Sequence, residues 1–393
     1  MSQVRDYPKR EELFPTDEPV APAQMIGRAE DVSRISSSLA SGRSLRVVAP
    51  RRTGKTTVCE AALARLRRQG WYAASVDLMN PSGAAGLAQD LTRSLLSNRP
   101  QLKRALGQAR DGWRRLGDRA RTQAIVDLGD GVTIAFSTAL EREDPDLALR
   151  EALVLPQRLA EKDGRPVVVF LDELQELAAV SAPFGDPGRL QARMRATFQR
   201  SGQVSLLFAG SLEHTMRQVF QPDAPLGGFG GSYALSEIAP GEWEGGLADR
   251  FDRAAIDVAP AVLERIVELG DGHPRATMLV AAEAYTAVRE AGVETLDLGT
   301  VALAWVRARA YDVERCRLLV ERMRRLPVAK GKDLSLRLAR GVAAGEPPYG
   351  VPGHHEQIKR ALGALGDIGV VEQVGRGNWR VPDPILRAYL QAK

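Results

Sequence analysis

The chain has 393 residues, 44% hydrophobic and 26% charged; at about 150 residues per domain this means two or three domains with a sizeable core, and it excludes wholesale disorder. No apolar run approaches the roughly 18 residues of a membrane helix, residues 1–15 lack the apolar core of a secretory signal, and two cysteines with four histidines exclude a disulfide framework, a thiolate cluster or a histidine-built metal site, so a cytoplasmic protein is expected. The net charge of +5 is uneven, because residues 305–393 carry 17 Lys/Arg against 9 Asp/Glu (net +8) and residues 1–304 carry 37 against 40 (net −3), a pattern that suits either a surface facing a polyanion or a solvated basic face.

In chain order, residues 1–24 are rich in proline and charge and read as an extended N-terminal arm. From Met25-Ile26-Gly27-Arg28 the pattern changes. Val32, Ile35 and Leu39 recur at helical spacing and predict a helix ending near Gly42. Leu45 to Ala49 reads as a short buried strand, followed by a Gly-containing loop and a helix over about 55–69. Tyr72 to Leu78 reads as a second strand. Residues 80–160 read as mainly helical, with an inserted strand at Val132 to Phe136. Val167 to Leu171 and Val204 to Ala209 are continuous apolar runs, the signature of strands buried on both faces of a parallel sheet. Residues 228–233 (Gly-Phe-Gly-Gly-Ser-Tyr) read as a flexible join. A helical region from Ala259 to about Arg325 follows, and then helix, Pro/Gly turn, helix and two short strands, Val370–Val374 and Trp379–Val381.

Two motifs carry chemistry. Ala49-Pro50-Arg51-Arg52-Thr53-Gly54-Lys55-Thr56 fits a phosphate-binding Walker A loop, with a strand before it and a helix after it. Backbone N–H groups over 52–56 can wrap a phosphate at the positive end of the helix. Gly54 allows close approach, Lys55 reaches the β- and γ-phosphates, and the Thr56 hydroxyl can ligate Mg²⁺. Val167 to Glu173 fits a Walker B strand, which delivers Asp172 to Mg²⁺ and sets Glu173 to polarise an attacking water. At the end of the following strand, Ser211 is either a helix cap or a polar group facing the γ-phosphate and the water.

With these residues in view, the chain resembles the archaeal-type ATPase family of the AAA+/STAND P-loop lineage. The resemblance rests on Ile26-Gly27-Arg28, the loop 50–56, Leu171-Asp172-Glu173-Leu174-Gln175-Glu176-Leu177, Gly210-Ser211, Gly272-His273-Pro274-Arg275, and Asp383-Pro384 after a winged-helix pattern. It spans roughly residues 25–390. It implies an α/β P-loop NTPase parallel-sheet core over 25–235, a helical lid over 236–325 and a winged helix-turn-helix over 326–393. It further implies an ATP site built from Ile26, Gly27, Arg28, Arg52, Thr53, Gly54, Lys55, Thr56, Thr57 and Pro274. Mg²⁺ would sit on Thr56 and Asp172, and Lys55, Glu173, Ser211 and Arg275 would serve catalysis. Ile26, Gly27 and Arg28 would border adenine and ribose, Pro274 the base, and Arg275 the γ-phosphate. One departure stands out: the chain reads Phe229-Gly230-Gly231 where the family carries an aromatic-Gly-Arg, with Arg217 nearby but off the matched position. A missing arginine finger predicts slow turnover.

In the C-terminal module, Ile358, Leu362 and Leu365 are expected to pack inward. His355, Gln357, Lys359 and Arg360 would then be presented outward, with Arg376 and Asn378 at the wing tip. Such a helix and wing can contact DNA; in STAND-type proteins the same module packs against its neighbours. The expected function is an ATP- and Mg²⁺-binding ATPase acting as a nucleotide-dependent switch. Two alternatives remain at this point: an ATP-dependent DNA-binding initiator or transposition loader, and a non-hydrolysing scaffold in a signalling or defence complex. Its partners would be ATP, DNA through Lys359, Arg360 and Arg376, another protein or a second copy of the chain, and no membrane.

Overall fold

The two continuous apolar runs become the centre of a parallel sheet. The computed structural model describes residues 7–16, 20–49, 53–79, 83–99, 124–127, 133–136, 145–177, 187–199, 201–210, 219–326, 333–351, 354–375 and 377–392. In chain order the first elements are α1 (Arg10–Leu13), α2 (Ala29–Ala40), β1 (Leu45–Val48), α3 (Lys55–Arg68), β2 (Tyr72–Asp77) and α4 (Gly83–Leu96). Then come β3 (Ala124–Asp127), β4 (Thr133–Phe136), α5 (Pro145–Asp163), β5 (Val167–Asp172), α6 (Pro187–Phe198), β6 (Val204–Gly210) and β7 (Gly231–Ala234). The sheet order is β2-β5-β6-β1-β7, and every pairing in it is parallel.

Both faces of this sheet are covered, which is why β5 and β6 carry no polar alternation. Val167, Val169 and Leu171 point to one face and join the buried cluster of Leu91 and Leu153 from α4 and α5. Val168 and Phe170 point to the other, against Ile35 and Leu39 of α2 and Leu63 and Leu66 of α3. Strand β6 lies between β1 and β5, so the loop after β1 and the carboxylates after β5 meet across one strand at the same edge of the sheet. That is the carboxyl-end crevice where open α/β sheets bind ligands.

Three stretches differ from the sequence reading. The expected join at 228–233 contains part of an edge strand: Leu45 pairs with Gly231 and Val47 with Tyr233. Its glycines and exposed positions hide it, because an edge strand with few buried side chains shows no apolar pattern. The expected single strand near 132–136 is half of an antiparallel hairpin with Ala124–Asp127, in a region read as helical. The N-terminal arm is anchored rather than simply extended: residues 10–13 form a helical turn, and Leu13 and Phe14 are buried.

Beyond β7, the helices α7 (Pro240–Arg253), α8 (Pro260–Gly270), α9 (Pro274–Ala291), α10 (Leu298–Tyr311) and α11 (Val313–Arg324) form the lid region, with two short paired strands, β8 (Asp257–Val258) and β9 (Thr295–Leu296). The last elements are α12 (Leu334–Ala343), a 3₁₀ turn at Pro348–Gly350, α13 (His355–Asp367), the hairpin β10 (Glu372–Gly375) and β11 (Asn378–Arg380), and α14 (Pro384–Gln391). Helix, turn, helix and hairpin follow in the order of a winged helix-turn-helix. One apolar cluster runs without a break from Leu13 and Phe14 through α9 to Leu362 and Leu386. The arm, the lid and the C-terminal module therefore share a core, while the sheet has its own.

Candidate functional site

Gly54, immediately before α3, holds φ +85°, a left-handed conformation that glycine adopts without the strain of an L side chain. The first turn of α3 lines a cavity of about 630 Å³ between sheet and lid. At its inner end the Thr56 hydroxyl donates to Asp172 Oδ2 at 2.6 Å, and Lys55 Nζ donates to the Ala49 carbonyl at 2.8 Å. Lys55 and Asp172 are both buried. Burial pushes the Asp172 carboxyl up from its ordinary value, opposed by the Thr56 hydroxyl and the Glu173 N–H. That N–H donates to Asp172 Oδ1 at 2.9 Å. Glu173 itself holds φ 51°, ψ 47°, a left-handed conformation unusual outside glycine. Its side chain therefore turns off the strand and faces the same cavity.

The other wall is lid and arm. Ile26, Arg28, Ile238, Trp243, Pro274, Arg275 and Met278 line the cavity with Thr53, Gly54, Lys55, Thr56 and Thr57. Gly246 lets α7 come down on Ile26: a Cβ there would meet the Ile26 side chain at 2.7 Å. Arg28, left-handed at φ 68°, is buried and reaches three ways. It donates to Asp31 Oδ2 at 3.2 Å, to the Thr53 carbonyl at 3.3 Å and to the Ser236 carbonyl. It thus ties the phosphate loop to the segment that leads into the lid. Gly27 turns away from this cavity, packed so closely that a Cβ would meet Glu242 Oε2 at 2.8 Å.

Arg275 lines the cavity but closes its fork on Asp312, at 2.6 and 2.8 Å. Asp312 also takes Arg315 at 2.5 Å, and Arg315 reaches Asp383 Oδ2 at 2.7 Å. Asp383 caps α14 by accepting from the Ile385 and Leu386 N–H groups. Burial disfavours both carboxylates, yet Arg275 and Arg315 hold Asp312 below its ordinary pKa, and Arg315 does the same for Asp383. A carboxylate depressed in the folded state stabilises fully above its unfolded pKa and loses that contribution as pH falls through the folded value. Asp312→Asn should cost about 2 kcal/mol by leaving two half-buried guanidinium groups without their shared, buried anion. Thermal unfolding at neutral pH checks this, and the gap between variant and wild type should close toward acid pH. An equal Tm at neutral pH would contradict it.

Of the residues singled out from the sequence, Ile26, Arg28, Thr53, Gly54, Lys55, Thr56, Thr57, Asp172, Glu173, Pro274 and Arg275 line one cavity. Arg52, Ser211 and Arg376 lie outside the described residues. On α13, Lys359 and Arg360 are exposed while Ile358, Leu362 and Leu365 are buried, some distance along the chain from the cavity. Sequence reasoning missed the cavity's Asp77, Met79, Trp243 and Arg250, and the arm residues Pro15, Thr16 and Val20. Asp77 had a signal, being a carboxylate at the carboxyl end of a sheet strand. The arm had none: it is held by Arg250, whose Nε donates to the Leu13 carbonyl at 2.6 Å, and by Tyr285, whose hydroxyl donates to the Pro8 carbonyl at 2.8 Å.

No protein-family model matches the chain, and no curated protein matches it in sequence. Solved structures do match its fold. A Walker-type ATPase of Pyrococcus abyssi superposes with a TM-score of 0.70 at 18% identity, covering 96% of this chain and 99% of that one. The Aeropyrum pernix ORC2 protein, in its ADPNP-ADP complexes, gives 0.58 at 16% identity over 98% of both chains. The Aeropyrum pernix ORC1 protein, in complex with DNA, gives 0.50 at 16% identity, covering 98% of this chain and 97% of that one. The chain therefore shares the overall fold of these Walker-type ATPase and ORC structures, with a parallel-sheet core.

Proposed function

We propose that this protein is an ATP- and Mg²⁺-binding ATPase that works as a nucleotide-dependent switch. The observation that carries the reading is the 2.6 Å hydrogen bond between Thr56 and Asp172 beside Lys55, at the end of a nucleotide-sized cavity. A hydroxyl and a carboxylate side by side are the hard oxygen donors that suit Mg²⁺ completed by phosphate oxygens and water. Mg²⁺, when bound, would neutralise developing phosphate charge. Lys55 would hold the β- and γ-phosphates, the N–H groups at the start of α3 the rest of the chain of phosphates, and Ile26, Pro274 and Met278 the base. Glu173 would accept the proton of the attacking water, with Ser211 orienting it. The ATPase domain would span 25–235, the lid 236–325 and the winged helix 326–393.

The switch part of the reading is supported by the chain of charges Arg275, Asp312, Arg315 and Asp383. It starts at the cavity wall and ends at the cap of α14. A γ-phosphate competing with Asp312 for Arg275 would disturb that chain, and with it the seating of the C-terminal module. Titration of a fluorescent ATP analogue with and without Mg²⁺, followed by phosphate release, tests the reading. Mg²⁺-dependent binding with slow turnover is expected, and no nucleotide binding would overturn it. A second reading, duplex-DNA binding through α13, is favoured by the exposed Lys359 and Arg360 and by a structural neighbour that is itself in complex with DNA. Gel filtration with and without ATP and duplex DNA separates the two, since only the DNA reading gives a salt-sensitive shift with duplex.

A further inference from the structure

Helix α10 is apolar on two faces, and only one of them is used. Val301, Ala304 and Ala308 are fully buried in the lid. On the opposite face Leu303 is 46% exposed, Val306 60% and, just past the helix end, Val313 43%. With Ala310 these positions recur at three- and four-residue spacing, so they form one stripe roughly 15 Å long. From α14, the half-buried Tyr389 and, beneath it, the buried Ile385 complete a groove of about 300 Å³ with Val306, Arg309, Ala310 and Val313. That space takes one or two large apolar side chains. Its two walls belong to the lid and to the C-terminal module, locked together beneath it by Arg315 between Asp312 and Asp383.

We propose that this groove docks an acidic amphipathic helix of a partner protein. The apolar floor asks for a row of Leu- or Ile-like side chains at the same helical spacing. The charges decide the flanks: at about 100° per residue, Arg309, which lines the groove, and Arg307, already bonded to Glu290 at 2.6 Å, fall on opposite sides of the stripe. Residues 298–324 carry six arginines against three acidic residues; Arg307, Arg315, Arg317 and Arg324 have acidic partners within the chain, so Arg309 is the cation the groove itself presents. A nucleic acid would satisfy the arginines but leave Leu303, Val306 and Val313 uncovered. A second copy, stripe against stripe, would set arginine against arginine in a symmetric contact. Only a helix with an apolar row and acidic borders matches both features. The docking needs no nucleotide, so it stands apart from the ATPase reading.

The full chain is titrated with a fluorescein-labelled peptide of about five helical turns, carrying a leucine row and glutamate flanks, and anisotropy is recorded. Controls are the same composition scrambled, a lysine-flanked version and duplex DNA. Val306→Asp, at an exposed position that leaves the core untouched, should weaken the glutamate-flanked peptide at least tenfold. Arg309→Glu should weaken it similarly and favour the lysine-flanked version. Circular dichroism and a thermal unfolding midpoint unchanged from wild type in both variants show that the fold is intact. Equal binding of ordered and scrambled peptides, indifference to Val306→Asp, competition by DNA alone, or self-association removed by Val306→Asp would each overturn the proposal.

Discussion

Lys55→Ala is expected to weaken ATP binding by about three powers of ten, the scale for removing one partner of a buried, hydrogen-bonded charge pair. Lys55 sits on the first turn of α3, 6% exposed, with its ammonium donating to the Ala49 carbonyl across the loop. A carbonyl is a weak holder for a cation compared with a phosphate. The free protein thus keeps the ammonium ordered and facing the cavity, and little reorganisation is needed when phosphate arrives. Alanine removes the charge and leaves Gly54 and the helix start as they are, so circular dichroism should be unchanged. Calorimetric titration with ATP and Mg²⁺ makes the comparison. An affinity within threefold of wild type would remove Lys55 from the phosphate site and, with it, the ATPase reading.

What could be read from the sequence divides along contact range. Strand β1 and helix α3 were legible because both signals are local: the apolar run up to Val48, and the helical pattern that starts after Gly54 at Lys55. Strands β5 and β6 were legible because burial on both faces leaves an unbroken apolar run. Elements whose structure depends on distant partners were not. Phe14 is an ordinary aromatic in a charged arm until Phe251, 237 positions away, supplies a ring at 4.9 Å. Strand β7 exists because β1 offers a free edge, not because Gly231 or Ser232 favours extension. Arg275 was placed at a γ-phosphate by resemblance, and its local sequence says nothing of Asp312, 37 residues on. The stripe on α10 escaped notice for a related reason: a helix apolar on both sides reads simply as core.

Glu173→Gln should preserve ATP binding and reduce turnover by about three powers of ten, within the range for losing a general base. The amide keeps the size of the carboxylate but gives up its negative charge, one acceptor oxygen and the ability to take a proton. Position also matters here. Glu173 follows Asp172 directly, on a left-handed backbone at φ 51° and ψ 47°, and both line the cavity with Thr56. Such a conformation costs a bulky residue on the order of 1 kcal/mol. On the proposed reading Asp172, buried and bonded to Thr56, would serve the metal, while Glu173, less buried, would meet the attacking water. Asp172→Asn therefore gives the contrasting outcome, with Mg²⁺-dependent binding and turnover falling together. Single-turnover phosphate release beside equilibrium titration tells the two carboxylates apart. If Glu173→Gln matched wild-type turnover, the base would have to be sought elsewhere along the cavity, with Asp77 at the end of the neighbouring strand the first residue to exchange.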